Sequence, residues 1–357
     1  MTQEMRYIAA FDAGTTAVKA ALMEESGRAV RTVSEDIPTF FEGGFREQDP
    51  RDWWAAFCRL SRRLTDGVPP ERIEAVVMSG QMQDLIPLDG DLEPVCRAIL
   101  YSDGRAQEQA ARLERAVGAE RFEEITGNRC DGSLPLPKLV WLREERPELF
   151  ARTRHILISS KDYLIARLTG ACIGDVTACS TAGAMDIRRK RWSRELLDAA
   201  GAEETLFPRL LASQERAGGV LPEAAAACGY APGTPVFAGT GDAGATTLAS
   251  GIATPGQYNV NLGTSGWVAA VSDGPLAGQS GVFNLAAMPR GRYINVVPFL
   301  NAGNVHGWMA GLAAGFAGRD GADFDRLGEL LAGSRPGSGG VLFLPYLTGE
   351  RFPVLDP

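Results

Sequence analysis

The sequence predicts an α/β protein, because buried strands alternate with amphipathic helices along most of its 357 residues. A first strand at 6–11 is followed by a hairpin partner at 17–23 and by a third strand at 28–36. The apolar stretch at 73–80 ends in small residues and predicts another buried strand. A chain of this length is more naturally divided into two domains than folded as one.

Helix start signals are clearest after the third strand. Asp49 is predicted as the N-cap and Pro50 as the first helical residue, and apolar residues then recur at helical spacing through Leu64. Further helices are predicted at 104–117, 138–150, 160–168, 193–200, 242–250, 303–318 and 321–332. Further strands are predicted at 235–241 and, after Gly251, in QYNVNLG, SGWVAAVS and RYINVVPF.

Composition and charge exclude several classes of function. The chain is 45% hydrophobic and 22% charged, which is enough for a sizeable core. A net charge of -8 argues against a general binder of nucleic acid or anionic membranes. No apolar run approaches the length of a membrane span, and the first residues lack the basic and apolar regions of a signal peptide. The six cysteines show no metal-ligand spacing, so we interpret them as reduced thiols of a cytoplasmic protein.

The first candidate site is the turn in FDAGTTAVKA, where a strand runs into Asp12. Gly14 permits a positive φ and a close approach to a ligand, and the consecutive N–H groups of Thr15 and Thr16 can form an anion nest. A carboxylate beside a phosphate requires a cation between them, and Mg²⁺ binds through carboxylates together with phosphates. The stretch fits a Mg-nucleotide phosphate hairpin, and it also fits an ordinary β-turn.

A second turn repeats this plan. NLGTSG supplies the donors of Gly263, Thr264 and Ser265 without the acid, so it fits a second phosphate contact or, again, a plain hairpin turn. Both segments consist of a strand, an Asp/Asn-x-Gly-Thr-Thr/Ser turn and a second strand. This similarity suggests two related half-domains.

The third candidate is FAGTGDAGATTLASG, which contains a G-x-G-x-x-G pattern at Gly239, Gly241 and Gly244. A dinucleotide-binding fold is disfavoured, because the acid expected about 20 residues further on is absent. Asp242 is the notable residue. At the first turn of a helix the dipole would hold it ionised, and an ionised carboxylate beside flexible glycines is a sound general base for a hydroxyl. The alternative is a plain helix N-cap.

Taken together, these segments resemble the FGGY family of carbohydrate kinases, and most closely its xylulokinase branch. The resemblance is collinear across nearly the whole chain. The matching stretches are, in order, FDAGTTAVKA, REQDPRDWW, SGQMQDLIPLD, ILYSDGRAQEQ, LPKLVWLREERPELF, SSKDYLIARLTG, MDIRRKRWSRELLDAAG, GTGDAGATTLASG, NLGTSG and FLPYLTGERFP.

The resemblance implies an actin-like ATPase fold, with two RNase H-like domains and a central cleft between a sugar subsite and a MgATP subsite. Residues 1–246 would form the N-terminal sugar-binding domain, and residues 247–357 the first part of a C-terminal ATP-binding domain. Family members continue beyond the point that matches Pro357, so the second domain is expected to be incomplete in this chain.

The resemblance also assigns roles to individual residues. Asp242 is implied as the catalytic base and, together with Asp12, as a metal ligand. The implied sugar-binding positions are Gln81, Met82, Gln83, Asp103 and Asp242. The implied nucleotide- and phosphate-binding positions are Asp12, Gly14, Thr15, Thr16, Lys19, Gly263, Thr264 and Ser265.

The implied reaction transfers the γ-phosphate of MgATP to a hydroxyl of a ketopentose, with conversion of D-xylulose to D-xylulose 5-phosphate as the leading expectation. The sequence departs from the xylulokinase pattern at Gln83-Asp84, where His-Gly is usual, and at Tyr101-Ser102, which replaces Trp-Asn. Ribulose, gluconate, glycerol or another polyol therefore stays open as the acceptor.

The alternative from another class of function is a non-catalytic sugar or nucleotide sensor with the same fold. The expected partner is a small-molecule sugar, without nucleic acid or membrane, and a homodimer is left open.

Overall fold

The computed structural model of the chain describes residues 5–263, 266–276, 278, 281–287, 291–347 and 350. Its strands are Tyr7–Ala13 (β1), Ala17–Glu24 (β2), Ala29–Asp36 (β3), Phe40–Glu42 (β4), Phe45–Gln48 (β5), Ile73–Gly80 (β6), Ile86–Leu88 (β7), Ala98–Ile99 (β8), His155–Leu157 (β9), Ile173–Asp175 (β10), Met185–Asp186 (β11), Arg191–Trp192 (β12), Arg209–Leu211 (β13), Arg216–Gly219 (β14), Pro235–Phe237 (β15), Thr240–Gly241 (β16), Tyr258–Leu262 (β17), Gly266–Ser272 (β18), Phe283–Ala286 (β19) and Tyr293–Phe299 (β20). Its helices are Pro50–Thr65 (α1), Gln107–Val117 (α2), Ala119–Thr126 (α3), Pro135–Glu145 (α4), Pro147–Arg152 (α5), Ser160–Thr169 (α6), Val176–Cys179 (α7), Arg194–Ala200 (α8), Pro222–Cys228 (α9), Asp242–Ala249 (α10), Gly303–Phe316 (α11) and Phe324–Ala332 (α12).

The main sheet is built on the predicted first hairpin. Its strand order is β14-β15-β6-β1-β2-β3, and β16 also pairs with β6. Strand β1 runs antiparallel to β2 and parallel to β6, with Asp12 opposite Ser79. Thr240 of β16 also lies opposite Ser79, and β16 runs parallel to β6. The carboxyl ends of β1, β6 and β16 therefore meet at one edge of the sheet.

Helix α1 packs against this sheet. It begins where predicted, since Asp49 accepts a hydrogen bond from the N–H of Arg51 (2.9 Å) and Pro50 occupies the first turn. The ring centroids of Phe57 and Phe11 of β1 are 4.3 Å apart. Burial of each large side chain on this stripe stabilises the fold by roughly 1.5–3 kcal/mol. The fully buried residues of the stripe are Trp53, Ala56, Phe57, Leu60 and Leu64.

The prediction of a single helix at 138–150 is wrong. Helix α4 begins earlier, at Pro135, and a separate helix α5 starts at Pro147. Arg146 between them has φ -141° and ψ 58°, which is not helical. Proline cannot donate a backbone hydrogen bond and disfavours helical geometry in the residue before it, so Pro147 divides the run. The other predicted helices are present, with ends that differ by a few residues.

The strand predicted at 235–241 is interrupted. Strand β15 ends at Phe237, strand β16 begins at Thr240, and Gly239 between them has φ +63°. A Cβ at this position would overlap the carbonyl oxygen of Met78, so only glycine lets the chain pass this close to β6. The interruption re-aligns the chain so that α10, with Asp242 as its first residue, starts at the edge of the sheet.

A second sheet follows α10 and confirms the strands predicted there. Its order is β17-β18-β20-β19, and its pairs are antiparallel. Helices α11 and α12 then pack together through small side chains and one leucine. Their buried residues are Ala310, Ala313, Ala314 and Leu327. Across the described ranges, no helix is both long enough and apolar enough to cross a lipid bilayer.

Candidate active site

Two aspartates meet at the edge where β1, β6 and β16 end. Asp12 is the penultimate residue of β1, and its Oδ1 accepts a hydrogen bond from Oγ of Ser79 (2.8 Å). Asp242 begins α10 directly after β16. The charge of Asp12 is near enough to raise the pKa of Asp242. The fold thus brings together the two residues that the resemblance implies as metal ligands.

The surroundings of Asp242 differ from a simple helix start. Gly241 stands at the N-cap position and Asp242 is the first residue of the helix, so the alternative that Asp242 is the N-cap is wrong. Its Oδ1 accepts a hydrogen bond from the N–H of Ala243 (2.7 Å). Burial raises the pKa of Asp242 to about 6, the Ala243 N–H opposes this rise, and the charge of Asp12 adds to it.

This pKa coexists with access to solvent. Asp242 is exposed at the surface of the described chain, so protein surrounds the carboxylate without sealing it from water. A pKa of about 6 leaves the group mostly ionised at pH 7, by a smaller margin than a helix dipole alone would give. A carboxylate that titrates close to neutral pH is well matched to accepting a proton from a hydroxyl.

The first phosphate-loop candidate joins β1 to β2. The N–H of Gly14 donates to the carbonyl of Ala17 (3.1 Å) and closes the turn. The turn does not use the positive φ that Gly14 permits, and an added Cβ at this position would meet only ordinary contacts. Thr16 is exposed, whereas Thr15 donates from Oγ1 to Oε1 of Gln81 (2.8 Å). One hydroxyl of the pair is therefore committed inside the protein.

Lys19 is placed beside Asp12 by the register of the first hairpin. The two residues lie directly opposite each other on β2 and β1, so their side chains share one face of the sheet. Lys19 is exposed. Its implied contact with the phosphates stays a prediction.

Gln81 joins the phosphate turn to the strand end that precedes the sugar loop. Its side chain is almost fully buried, and Nε2 donates to Oε1 of Gln48 (2.8 Å) while Oε1 accepts from Thr15. Nε2 of Gln48 donates in turn to the carbonyl oxygen of Thr15 (2.6 Å). The indole N–H of Trp53, itself fully buried, donates to Oε1 of Gln48 (2.9 Å). The buried side chain of Gln81 supports both the Thr15 turn and the loop that follows β6. Its implied sugar contact stays a prediction.

Met82 and Gln83 follow this strand end and contact two different segments of the chain. Met82 is buried against Gly241, where an added Cβ would overlap its Sδ. Gln83 has φ +69°, which is uncommon for a residue with a side chain and is concentrated at turns and functional sites. Its Nε2 donates to Oγ of Ser133 (2.7 Å) in the loop before α4.

Asp103 is held in an ion pair. Its carboxylate accepts hydrogen bonds from the N–H of Arg46 (2.7 Å) and the guanidinium of Arg105 (2.6 Å), which also contacts Glu47 (2.8 Å). Burial alone would raise the pKa of Asp103, but the hydrogen bonds from Arg105 and from the Arg46 N–H lower it on balance. Asp103 thereby fixes its own loop, and its implied sugar contact stays a prediction.

The second phosphate-loop candidate lies between β17 and β18. Leu262 pairs with Gly266 across the hairpin, and the carbonyl of Gly263 accepts a hydrogen bond from the N–H of Gly303 at the start of α11 (2.8 Å). Thr264 and Ser265 lie outside the described residues, so their implied contact with phosphate stays a prediction.

Sequence reasoning missed three residues that support the site. Ser79 and Ser133 gave no signal, because small polar residues are common at strand ends and in turns. Lys138 did give a signal, because a lysine in the apolar helical run LPLPKLVWL is expected either on an exposed face or buried with partners. The structure buries Lys138 completely.

Comparison with known proteins identifies the family. The FGGY family of carbohydrate kinases, N-terminal domain, matches residues 7–249. The xylulose kinase of Klebsiella pneumoniae is 33% identical over 97% of this chain and 70% of that protein. The gluconokinase of Bacillus subtilis (strain 168) is 29% identical over 98% of this chain and 69% of that protein.

Solved structures agree with this result. The ligand-bound xylulose kinase from Lactobacillus acidophilus aligns with a TM-score of 0.90 at 27% identity, covering 98% of this chain and 70% of that one. The gluconate kinase from Lactobacillus acidophilus also aligns with a TM-score of 0.90, at 26% identity, covering 99% and 71%.

The fold is therefore the actin-like ATPase fold of sugar kinases, which confirms the predicted fold class, and the protein is a phosphotransferase. The chain belongs to the FGGY family of carbohydrate kinases, enzymes that use ATP as their phosphate donor.

Proposed function

We propose that this kinase transfers the γ-phosphate of MgATP to a primary hydroxyl of a ketopentose, with D-xylulose as the leading acceptor and D-xylulose 5-phosphate as the product. The observation that carries the proposal is the meeting of Asp12 and Asp242 at one sheet edge, with Met82 packed on the residue before Asp242. The similarity to xylulose kinases at 33% identity supports this acceptor. Gluconokinases at 29% identity make gluconate its main competitor.

Asp242 acts as the general base. Its carboxylate takes the proton of the acceptor hydroxyl while the hydroxyl oxygen attacks the γ-phosphorus in line. The bond from the γ-phosphorus to the bridging oxygen breaks, and ADP leaves with the electron pair of that bond. A pKa of about 6 leaves the carboxylate ionised at neutral pH and still basic enough to accept a proton.

The donor set at the sheet edge fits Mg²⁺. Two nearby carboxylates repel each other, and a divalent cation between them would relieve that repulsion. Asp12, oriented by Ser79, and Asp242 are the residues that would hold the ion. Among the described residues no group of three or more His, Cys, Asp or Glu side chains is arranged as a metal site, so phosphate oxygens would complete the coordination. Bound Mg²⁺ supplies positive charge to the phosphoryl oxygens during transfer.

The remaining residues position the two substrates. In the turn at Gly14, Thr15 and Thr16 the Gly14 N–H is bonded to Ala17, so the N–H groups of Thr15 and Thr16 would bind the phosphates from the first half of the chain, with Lys19 on the adjoining strand. The turn containing Gly263, Thr264 and Ser265 does so from the second half. Met82, Gln83 and the loop of Asp103 orient the sugar, with Gln81 behind them. In this arrangement residues 1–246 carry the sugar subsite, and residues 247–357 belong to the ATP subsite.

The proposal is tested by coupled ADP release from this chain with D-xylulose, ribulose, gluconate and glycerol, each compared with a sugar-free control. We expect ADP release that depends on the ketopentose and disappears in Asp242→Asn. Sugar binding without sugar-dependent ADP release would overturn the proposal and indicate a sensor. Fastest turnover with gluconate would retain the kinase and overturn the ketopentose.

A further inference from the structure

A buried lysine and a buried aspartate lie directly under the loops assigned to the acceptor sugar. Lys138 of α4 and Asp84, which follows Gln83, are both completely buried. Neither residue has a role in the chemistry of phosphoryl transfer described above. Charged groups are almost never buried completely without specific partners, so this pair requires an explanation.

Both residues hold the same peptide group. Nζ of Lys138 donates to the carbonyl oxygen of Leu100 (2.7 Å), and Oδ1 of Asp84 accepts from the N–H of Tyr101 (3.0 Å). This carbonyl and this N–H are the two ends of a single planar peptide unit. Its orientation is therefore fixed from both sides, at the start of the loop that leads to Asp103.

The same lysine also holds the other acceptor loop. Nζ of Lys138 donates to the carbonyl oxygen of Gln83 (3.3 Å), and the N–H of Asp84 in that peptide unit donates to the carbonyl oxygen of Ile158 (3.0 Å). Gln83 is the residue with φ +69°, an unfavourable conformation that persists only when its surroundings enforce it. One ammonium group thus sets the spacing between the Gln83 loop and the Leu100 loop.

Asp84 has hydrogen-bonding capacity to spare. Its Oδ2 is buried and makes no hydrogen bond among the described residues. Burial raises the pKa of Asp84 to about 8. The charge of Lys138 and the hydrogen bond from the Tyr101 N–H oppose this rise, and the charge of Asp242 adds to it. Burial likewise lowers the pKa of Lys138, while Asp84, Asp103 and Asp131 raise it.

We propose that Lys138 and Asp84 form a positioning pair beneath the acceptor subsite. Lys138 fixes the spacing of the two acceptor loops, and Asp84 holds the Leu100–Tyr101 peptide group from the opposite side. The pair rests on the proposed function, because that function places the acceptor between these loops. It goes further in naming the residues that set the distance between them.

The positioning role is tested first without sugar. Hydrogen–deuterium exchange is measured on peptides covering 82–84 and 100–103 in the wild type, in Lys138→Met and in Val140→Ala, a buried neighbour on the same helix. We expect exchange at both segments to rise at least about tenfold in Lys138→Met and to stay near wild type in Val140→Ala. Equal protection in all three proteins would overturn the positioning role, whether or not the chain is an active kinase.

Steady-state kinetics separate positioning from a general loss of structure. In Lys138→Met the KM of the sugar should rise about tenfold or more, while the KM of ATP stays within about twofold, because only the acceptor loops lose their common support. An equal rise of both KM values would indicate that Lys138 merely stabilises the fold. If Lys138→Met does not fold, Asp84→Ala carries the test, because alanine removes the acceptor of the Tyr101 N–H and the exchange of that amide should then rise.

Discussion

Thr15 donates a hydrogen bond from Oγ1 to Oε1 of Gln81 over 2.8 Å, and so joins the turn proposed for the phosphates to the end of β6, which leads into the loop proposed for the sugar. Gln48 closes the connection, since it bonds both to Gln81 and to the backbone of Thr15. These hydrogen bonds link the proposed phosphate turn to the proposed sugar loop. A reaction that is mostly positioning benefits from such a rigid link between its two substrates.

Gln81→Leu should weaken both subsites at once. Leucine has a similar size but cannot accept from Thr15 or donate to Gln48, and an unpaired buried polar group costs about 1–3 kcal/mol. We expect the KM values of ATP and sugar to rise together and kcat/KM to fall about tenfold or more. Gln214→Leu, at an exposed position, is the matched control. If only one of the two KM values responds, the link does not couple the subsites.

Local signals predicted local structure well. The start of α1 was predictable because Asp49 and Pro50 act within one helical turn, and Pro147 carried enough information to place the break that the prediction of one helix overlooked. The partners of Gln81 were not predictable, since Thr15 and Gln48 lie 66 and 33 residues away and no alternation of apolar residues encodes a buried amide contact.

The electrostatics of the site also had to come from the structure. The sequence indicated that Asp242 begins a helix, but the rise in its pKa depends on burial and on Asp12, which is 230 positions earlier in the chain (242 − 12). The hydrogen bonds from Lys138 to the carbonyl oxygens of Gln83 and Leu100 could not be predicted from the sequence either, because only the folded chain brings these groups together.

Asp242→Asn should abolish phosphoryl transfer while sugar binding persists. Asparagine retains the size and hydrogen-bonding reach of the side chain but cannot accept the proton, and loss of a general base costs roughly 10²–10⁴-fold in rate. Single-turnover kinetics give the rate, and calorimetry gives the sugar affinity. A rate within about threefold of wild type would show that Asp242 is not the base.

The activity should have an acidic limit set by Asp242. Its carboxylate accepts a proton only when ionised, so kcat/KM should be level above about pH 7, fall to half near the pKa of about 6 and decline further below it. Asp12→Asn removes a nearby negative charge and should move the decline to lower pH. A profile that stays level down to about pH 4, the range of an unperturbed aspartate, would contradict the raised pKa.

Asp12→Ala should raise the Mg²⁺ concentration needed for activity and lower kcat, with little effect on sugar affinity. The carboxylate of Asp12 is oriented by Ser79 toward the edge where phosphates are expected, and the sugar loops lie on other strand ends. The measurement is a Mg²⁺ titration of ADP release in Asp12→Ala and wild type. An unchanged titration curve would rule out a metal role for Asp12.

Gln83→His combined with Asp84→Gly should shift the preference toward D-xylulose. These two positions carry His-Gly in the pattern that the chain otherwise resembles, and a site built to bond a particular hydroxyl rejects an acceptor that leaves its polar groups unpaired. A changed buried hydrogen bond is worth about 1–3 kcal/mol, so kcat/KM for D-xylulose relative to the other acceptors should change by about tenfold to a hundredfold.

Asp84→Gly also removes the acceptor of the Tyr101 N–H, so the single variant Gln83→His separates the side-chain effect from that loss. The measurement is kcat/KM for D-xylulose, ribulose, glycerol and gluconate in all three proteins. If the ranking of the four acceptors is the same in each, residues 83 and 84 do not face the sugar, and the acceptor must contact the loop of Asp103 instead.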